Sequence, residues 1–104
     1  MVRYVITISL LLGSIYGQCD DLEIELWGEC FNIDSTYEID LSGQQLSGSI
    51  PSDIGGLTSL MFLDLSDNNI TGPIPDQIGN IDNLIGLNLR DNQMEGDIPA
   101  QIGN

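Results

Sequence analysis

The side chains able to do chemistry in this 104-residue sequence are few and one-sided: two cysteines, Cys19 and Cys30, sixteen carboxylates, two basic residues and no histidine. In an oxidising compartment the cysteines are expected to pair, closing a loop of about a dozen residues worth roughly 3 kcal/mol through lost chain entropy. A metal centre would need more thiolates or imidazoles than the chain offers. Without histidine the usual Ser-His and Cys-His nucleophiles cannot be assembled, and no G-x-S-x-G, Walker loop or dinucleotide fingerprint occurs. The run from Asp64 to Asn68 resembles the start of an EF-hand loop, but Asn69 stands at its glycine position and Pro75 where the bidentate acid belongs. Carboxylate pairs serve glycoside hydrolysis only across a cleft. The sequence therefore predicts no enzyme activity, no cofactor and no metal. One modification signal is present: Asn69-Ile70-Thr71 is an N-glycosylation sequon, used only where the host glycosylates secreted proteins.

The net charge is -14, with the acids scattered along the chain, which suits solubility in a salty extracellular medium. Nucleic acid is excluded as a partner because no set of Lys and Arg exists to replace phosphate counterions. An anionic membrane surface is disfavoured for the same reason. At the front, Met1-Val2-Arg3 is a short basic start, Tyr4 to Leu12 is largely apolar, and Ile15-Tyr16-Gly17 offers a cleavage site. The apolar stretch falls short of the roughly 20 residues a spanning helix needs. These features predict a signal peptide over 1–17 and a secreted, extracellular or cell-surface protein. Gln18 before Cys19 argues against a bacterial lipid anchor.

The elements that must position these residues are set by a 24-residue period. Leu60 to Leu65 returns as Leu84 to Leu89, and G-x-I-P occurs at Gly48–Pro51, Gly72–Pro75 and Gly96–Pro99. A fixed period of this length means stacked units, each too small to bury its own apolar face. Within a unit Leu63 and Leu65 alternate with Phe62, Asp64 and Ser66, the period of a short strand with one buried face. Gln44, Asn68 and Asn92 recur where the chain leaves the strand, and their amides predict a ladder that satisfies turning backbone. Ile70 and Ile74 point inward, Gly72 and Pro75 set the turn, and Ile78 and Ile81 return around a helical or 3₁₀ turn.

These residues resemble the leucine-rich repeat of the 24-residue plant-type class, that of receptor-like and polygalacturonase-inhibitor-like proteins, with the pattern L-x-x-L-x-L-x-x-N-x-L-x-G-x-I-P. The resemblance implies an α/β solenoid: a right-handed coil of about three repeats, a short parallel β-sheet on the concave face and a second short strand near L-x-G-x-I-P. It divides the mature chain into an N-terminal cap over 18–35 and repeats over 36–59, 60–83 and 84–104, with no C-terminal cap. In the cap, Asp20 and Asp21 suit the first turn of a helix whose Leu22 and Leu26 cover the core, and Trp27 is expected to plug the core under the disulfide. Members of the family bind partners on the concave sheet, which makes Glu38, Asp40, Ser42, Phe62, Asp64, Ser66, Asn88 and Arg90 the candidate ligand residues. Arg90 is also placed to pair with Asp67 or Asp91. The expected function is a secreted recognition module for a protein, peptide or glycan. The alternative is a structural, adhesion or assembly element, or the N-terminal fragment of a longer receptor-like surface protein. The third repeat stops at Asn104 before its last apolar position, so Leu84, Leu87, Leu89, Met94, Ile98 and Ile102 would leave an open coil suited to end-to-end association.

Overall fold

The structure, a computed structural model, describes residues 3–5 and 19–96. Each coil opens with a three-residue strand: β4 Glu38–Asp40, β6 Phe62–Asp64 and β8 Gly86–Asn88. They pair in parallel in the order β1-β4-β6-β8, with β1 being Arg3–Val5. β1 belongs to the segment read above as a signal peptide, the rest of which lies outside the described residues. Leu41 N–H donates to the Asp64 carbonyl and Leu65 N–H to that of Asn88, both at 2.8 Å, carrying the pairing past the strand ends. A second parallel sheet follows the turn, built from β5 Ser47–Gly48, β7 Asn69–Gly72 and β9 Gln93–Met94. Two 3₁₀ helices, η1 Ser52–Gly56 and η2 Asp76–Asn80, form the outer wall. Each starts after a proline, Pro51 at φ -65° and Pro75 at φ -69°, whose ring presets the entry angle.

The aliphatic positions of the period meet between these three walls. Leu41, Ile54, Leu57, Leu60, Leu63, Leu65, Ile70 and Ile78 are buried, while Ile74 is only partly covered. Coils stack closely on the outer side, because a Cβ on Gly55 would come within 2.7 Å of the Gln77 carbonyl oxygen. The position after the concave strand takes φ of 65°, 59° and 58° at Gly43, Asp67 and Asp91, a left-handed conformation that aspartate tolerates better than most residues.

The recurring amides form cross-coil bonds. Asn68 Oδ1 accepts from Gln44 N–H and Leu46 N–H, each at 2.9 Å, while its Nδ2 donates to the carbonyls of Leu41, Leu65 and Ser66. Asn92 repeats the pattern one coil on, accepting from Ile70 N–H and donating to the Leu65 carbonyl. The Gln44 side chain donates to the Ser42 carbonyl at 3.4 Å.

The cap differs from expectation. Residues 20–26 form no helix; β2 Glu23–Leu26 and β3 Glu29–Asn32 make an antiparallel hairpin. Trp27 and Gly28 turn it at φ of 47° and 87°, the positive pair that a two-residue type I′ turn requires. The alternation Glu23-Ile24-Glu25-Leu26 is a strand pattern, and it outweighs the aspartates that suggested a helix start. Leu26 and Phe31 are fully buried, whereas Leu22, expected to cover the core, is 60% exposed. Trp27 is half-buried against the core, and its indole N–H donates to the Ser47 carbonyl at 2.9 Å. Cys19 and Cys30 are joined, with their Cα atoms 5.6 Å apart. The Cys19, Glu23 and Cys30 cluster is thus a disulfide beside a carboxylate, with no thiolate left for a metal.

Candidate functional site

The parallel register sets outward residues of successive coils side by side. Glu38, Phe62 and Gly86 make one column, and Asp40, Asp64 and Asn88 the next. Together they line an open groove of about 530 Å³ whose floor is Ile39, Leu63 and Leu87. Leu63 and Ile39 are buried beneath it, so the floor is rigid core.

The third expected column does not join the groove. Ser66 is buried, and its hydroxyl donates to Asp64 Oδ1 at 2.6 Å; the Ser42 hydroxyl does the same to Asp40 at 2.7 Å. The backbone N–H groups of Ser42 and Ser66 donate to the same carboxylate oxygens. These serines therefore close the strand-ending turn. In the third coil Asn88 Oδ1 accepts from Arg90 N–H at 3.1 Å, so an amide can hold the turn as a carboxylate does. The Arg90 guanidinium points away to Asp91, 3.7 Å distant with both side chains largely exposed. Such a pair contributes little to stability.

Phe62, 40% exposed, lies across the space left by Gly86, where a Cβ would stand 2.8 Å from its ring. The glycine thus gives the ring a seat on the sheet. A further row was not picked out from sequence. Tyr37, Met61 and Ile85 immediately precede the strands, and Met61 N–H donates to the Tyr37 carbonyl and Ile85 N–H to that of Met61, both at 2.8 Å. Ile85 is 68% exposed. Its sequence signal is an apolar residue after each first repeat position, one place ahead of the strand alternation that marks the other columns. On the second sheet, Asn69 and Thr71 are exposed on either side of the fully buried Ile70. Among the described residues no helix is long and apolar enough to cross a membrane.

Comparison with known proteins follows the same periodicity. The Leucine Rich Repeat family model matches residues 35–57, 59–81 and 83–104. No curated protein matches. Among solved structures, a chain of the BIR3–SERK2 complex from Arabidopsis thaliana is 49% identical over 65% of this chain and 37% of its own length, with a TM-score of 0.63. The BIR2 ectodomain from Arabidopsis thaliana is 32% identical, covering 72% of this chain and 36% of that one, with a TM-score of 0.57. A chain of the complex of the Arabidopsis receptor kinase HAESA with the peptide hormone IDA and the co-receptor SERK1 is 36% identical, over 66% of this chain and 12% of that one, at a TM-score of 0.64. This chain therefore spans 37% or less of the length of these chains.

Proposed function

This chain belongs to the leucine-rich repeat family, and from that premise we propose that it is a secreted or cell-surface recognition module, holding a protein or peptide on its concave sheet and doing no chemistry itself. The observation that carries this reading is the groove: two columns of outward side chains in register over an aliphatic floor whose Ile39 and Leu63 are buried. Such a surface is pre-organised, so a partner meets little of the ordering cost that weakens flexible sites. Likeness to chains solved in complexes, BIR3 with SERK2 and HAESA with the peptide hormone IDA and the co-receptor SERK1, supports the choice of partner. A glycan is the other ligand the open groove admits. Cleavage of the signal peptide 1–17 would remove β1 and leave β4, with Glu38 and Asp40 on it, as the sheet edge. Two charged side chains on so short a strand discourage pairing with other chains. Asn69 carries a glycan where the host pathway attaches one, since the sequon lies on exposed strand away from the groove.

Photo-cross-linking tests the concave assignment. A photoreactive residue at Phe62 is expected to capture a partner from extracellular extract, and one at Asp76 on the outer wall is not. Equal capture from both positions would count against the reading.

A second reading rests on the third coil. Leu84, Leu87, Leu89 and Met94 are only partly buried, although they match core positions of the second coil. That face suits further coils of a longer surface protein or end-to-end contact with another chain, as an assembly or adhesion element would make. Light scattering separates these cases: a monomer at all concentrations excludes self-assembly through this face.

A further inference from the structure

We propose that the second and third coils hold a ring of a neutral, equatorially substituted oligosaccharide, stacked on Phe62 and hydrogen-bonded between Asp64 and Asn88. This deepens the concave-face reading above and rests on it.

Four residues of two adjacent strands make the site. The register sets Phe62 beside Gly86 and Asp64 beside Asn88, so the two pairs stand about 7 Å apart along the strands on one face. Phe62 lies over Gly86, where a Cβ would come within 2.8 Å of its ring, and it remains 40% exposed as part of the groove lining. At the other end Asp64 Oδ1 accepts from the Ser66 hydroxyl and N–H, and Asn88 Oδ1 accepts from Arg90 N–H. Among the described residues neither Asp64 Oδ2 nor Asn88 Nδ2 takes a further bond, which leaves an acceptor beside a donor. Glu38 and Asp40, the other carboxylates of the lining, are engaged within the chain and take no part.

A pyranose ring matches both ends at once. Its C–H groups form an apolar face suited to the negative face of an aromatic ring. Equatorial substitution keeps that face flat and sends the hydroxyls to the rim, toward the Asp64 and Asn88 pair. Neighbouring strands lie about 4.8 Å apart, so one hydroxyl oxygen roughly 2.8 Å from each partner can accept from the amide and donate to the carboxylate. A leucine side chain would meet only the ring, and a serine hydroxyl only the pair. Charge makes the saccharide neutral. The net charge of -14 repels acidic sugars, and among the described residues no lysine or arginine lines the groove to hold a carboxylate. Three strands span about 10 Å, so the contact takes in about two rings of a longer chain.

The probes are cellohexaose, a hexamer of galacturonate, and a neutral hexapeptide of alternating Leu and Ser. Each is titrated calorimetrically into the full chain at low and physiological salt. Cellohexaose is expected to bind indifferently to salt, with the acidic hexamer silent and the peptide clearly weaker. Phe62→Ala is expected to abolish binding, and Gly86→Ala, which pushes the ring off its seat, to weaken it about tenfold. Asp64→Asn and Asn88→Asp are each expected to weaken it about tenfold, because two donors or two acceptors then face a hydroxyl with one proton. Both keep the strand-ending turn, since carboxylate and amide each hold it in this chain; circular dichroism checks that. Combining the two restores one donor beside one acceptor. Most of the affinity should return, because a hydroxyl serves either polarity whereas a peptide amide does not. Cellohexaose binding with no protein captured supports a free polysaccharide as the source, and capture lost on deglycosylating the extract supports a sugar carried on a partner. Equal binding of the peptide, binding indifferent to Phe62→Ala, or no recovery in the double variant overturns the proposal. Concave cross-linking to a protein with cellohexaose silent also overturns it while leaving the concave reading intact. Silence of cellohexaose together with absence of concave capture defeats both.

Discussion

Asn68 shows how much one side chain can carry. Its single amide serves two backbone donors and three carbonyls of two coils in a buried setting. Asn68→Ala strands several of those groups away from water, each at about 1–3 kcal/mol, so a loss above about 3 kcal/mol is expected in urea unfolding. Asn92→Ala removes the equivalent amide from a half-buried site, where water can substitute, and should cost clearly less. Similar losses would mean that burial is not what makes the amide matter. Thr36 presents the opposite case. It is fully buried at the leading apolar position of the first coil, and its hydroxyl has no partner. Thr36→Val keeps the shape and deletes the stranded group, so a gain of about 1 kcal/mol is expected by the same measurement. At Asn69 the expected outcome is chemical. Expression through a glycosylating secretory pathway should give a glycosidase-sensitive mass increase that Thr71→Ala abolishes, and an unshifted secreted chain would refute the assignment.

Among the elements, the cap hairpin closes the front of the stack by two means. Its disulfide ties Cys19 to the hairpin's second strand, and the Trp27 indole N–H occupies the Ser47 carbonyl on β5, the edge of the second sheet among the described residues. Cys19→Ser with Cys30→Ser is expected to destabilise the chain by about 3 kcal/mol, and reductant should reproduce the loss in the wild type. Trp27→Phe keeps the ring and drops the donor, an expected loss of about 1 kcal/mol. These elements also mark where the sequence could be read. Strands, 3₁₀ turns and the amide ladder follow from the period, because every coil faces the same geometric problem and solves it with the same residue types. The cap occurs once, so no second copy corrected the helix suggested by Asp20, Asp21 and the Leu22–Leu26 spacing. The groove was legible through Glu38, Asp40, Phe62, Asp64 and Asn88. Ser42 and Ser66 were misplaced because strand alternation ends at Leu65, where the turn folds their hydroxyls back onto the aspartates. The Tyr37–Met61–Ile85 row escaped because it precedes the strands and only backbone pairing shows it aligned.

At the scale of the whole molecule the stack is quasi-one-dimensional, each coil stabilised by the neighbours it touches. Leu65 lies between two coils and is fully buried, whereas its equivalent Leu89 is only partly buried. Truncation should register that difference: Leu65→Ala is expected to cost about 2–5 kcal/mol, and Leu89→Ala roughly half as much. Amide hydrogen exchange should agree, with Leu65 N–H protected nearly to global unfolding and Leu87 and Leu89 N–H opening earlier by local fraying. Both measurements depend on what covers the third coil. If a second chain buries Leu84, Leu87 and Leu89, their protection rises with protein concentration and Leu89→Ala becomes as costly as Leu65→Ala. Exchange in the third coil that is independent of concentration therefore means the coil frays alone, and the concave groove is then left as the surface on which recognition must act.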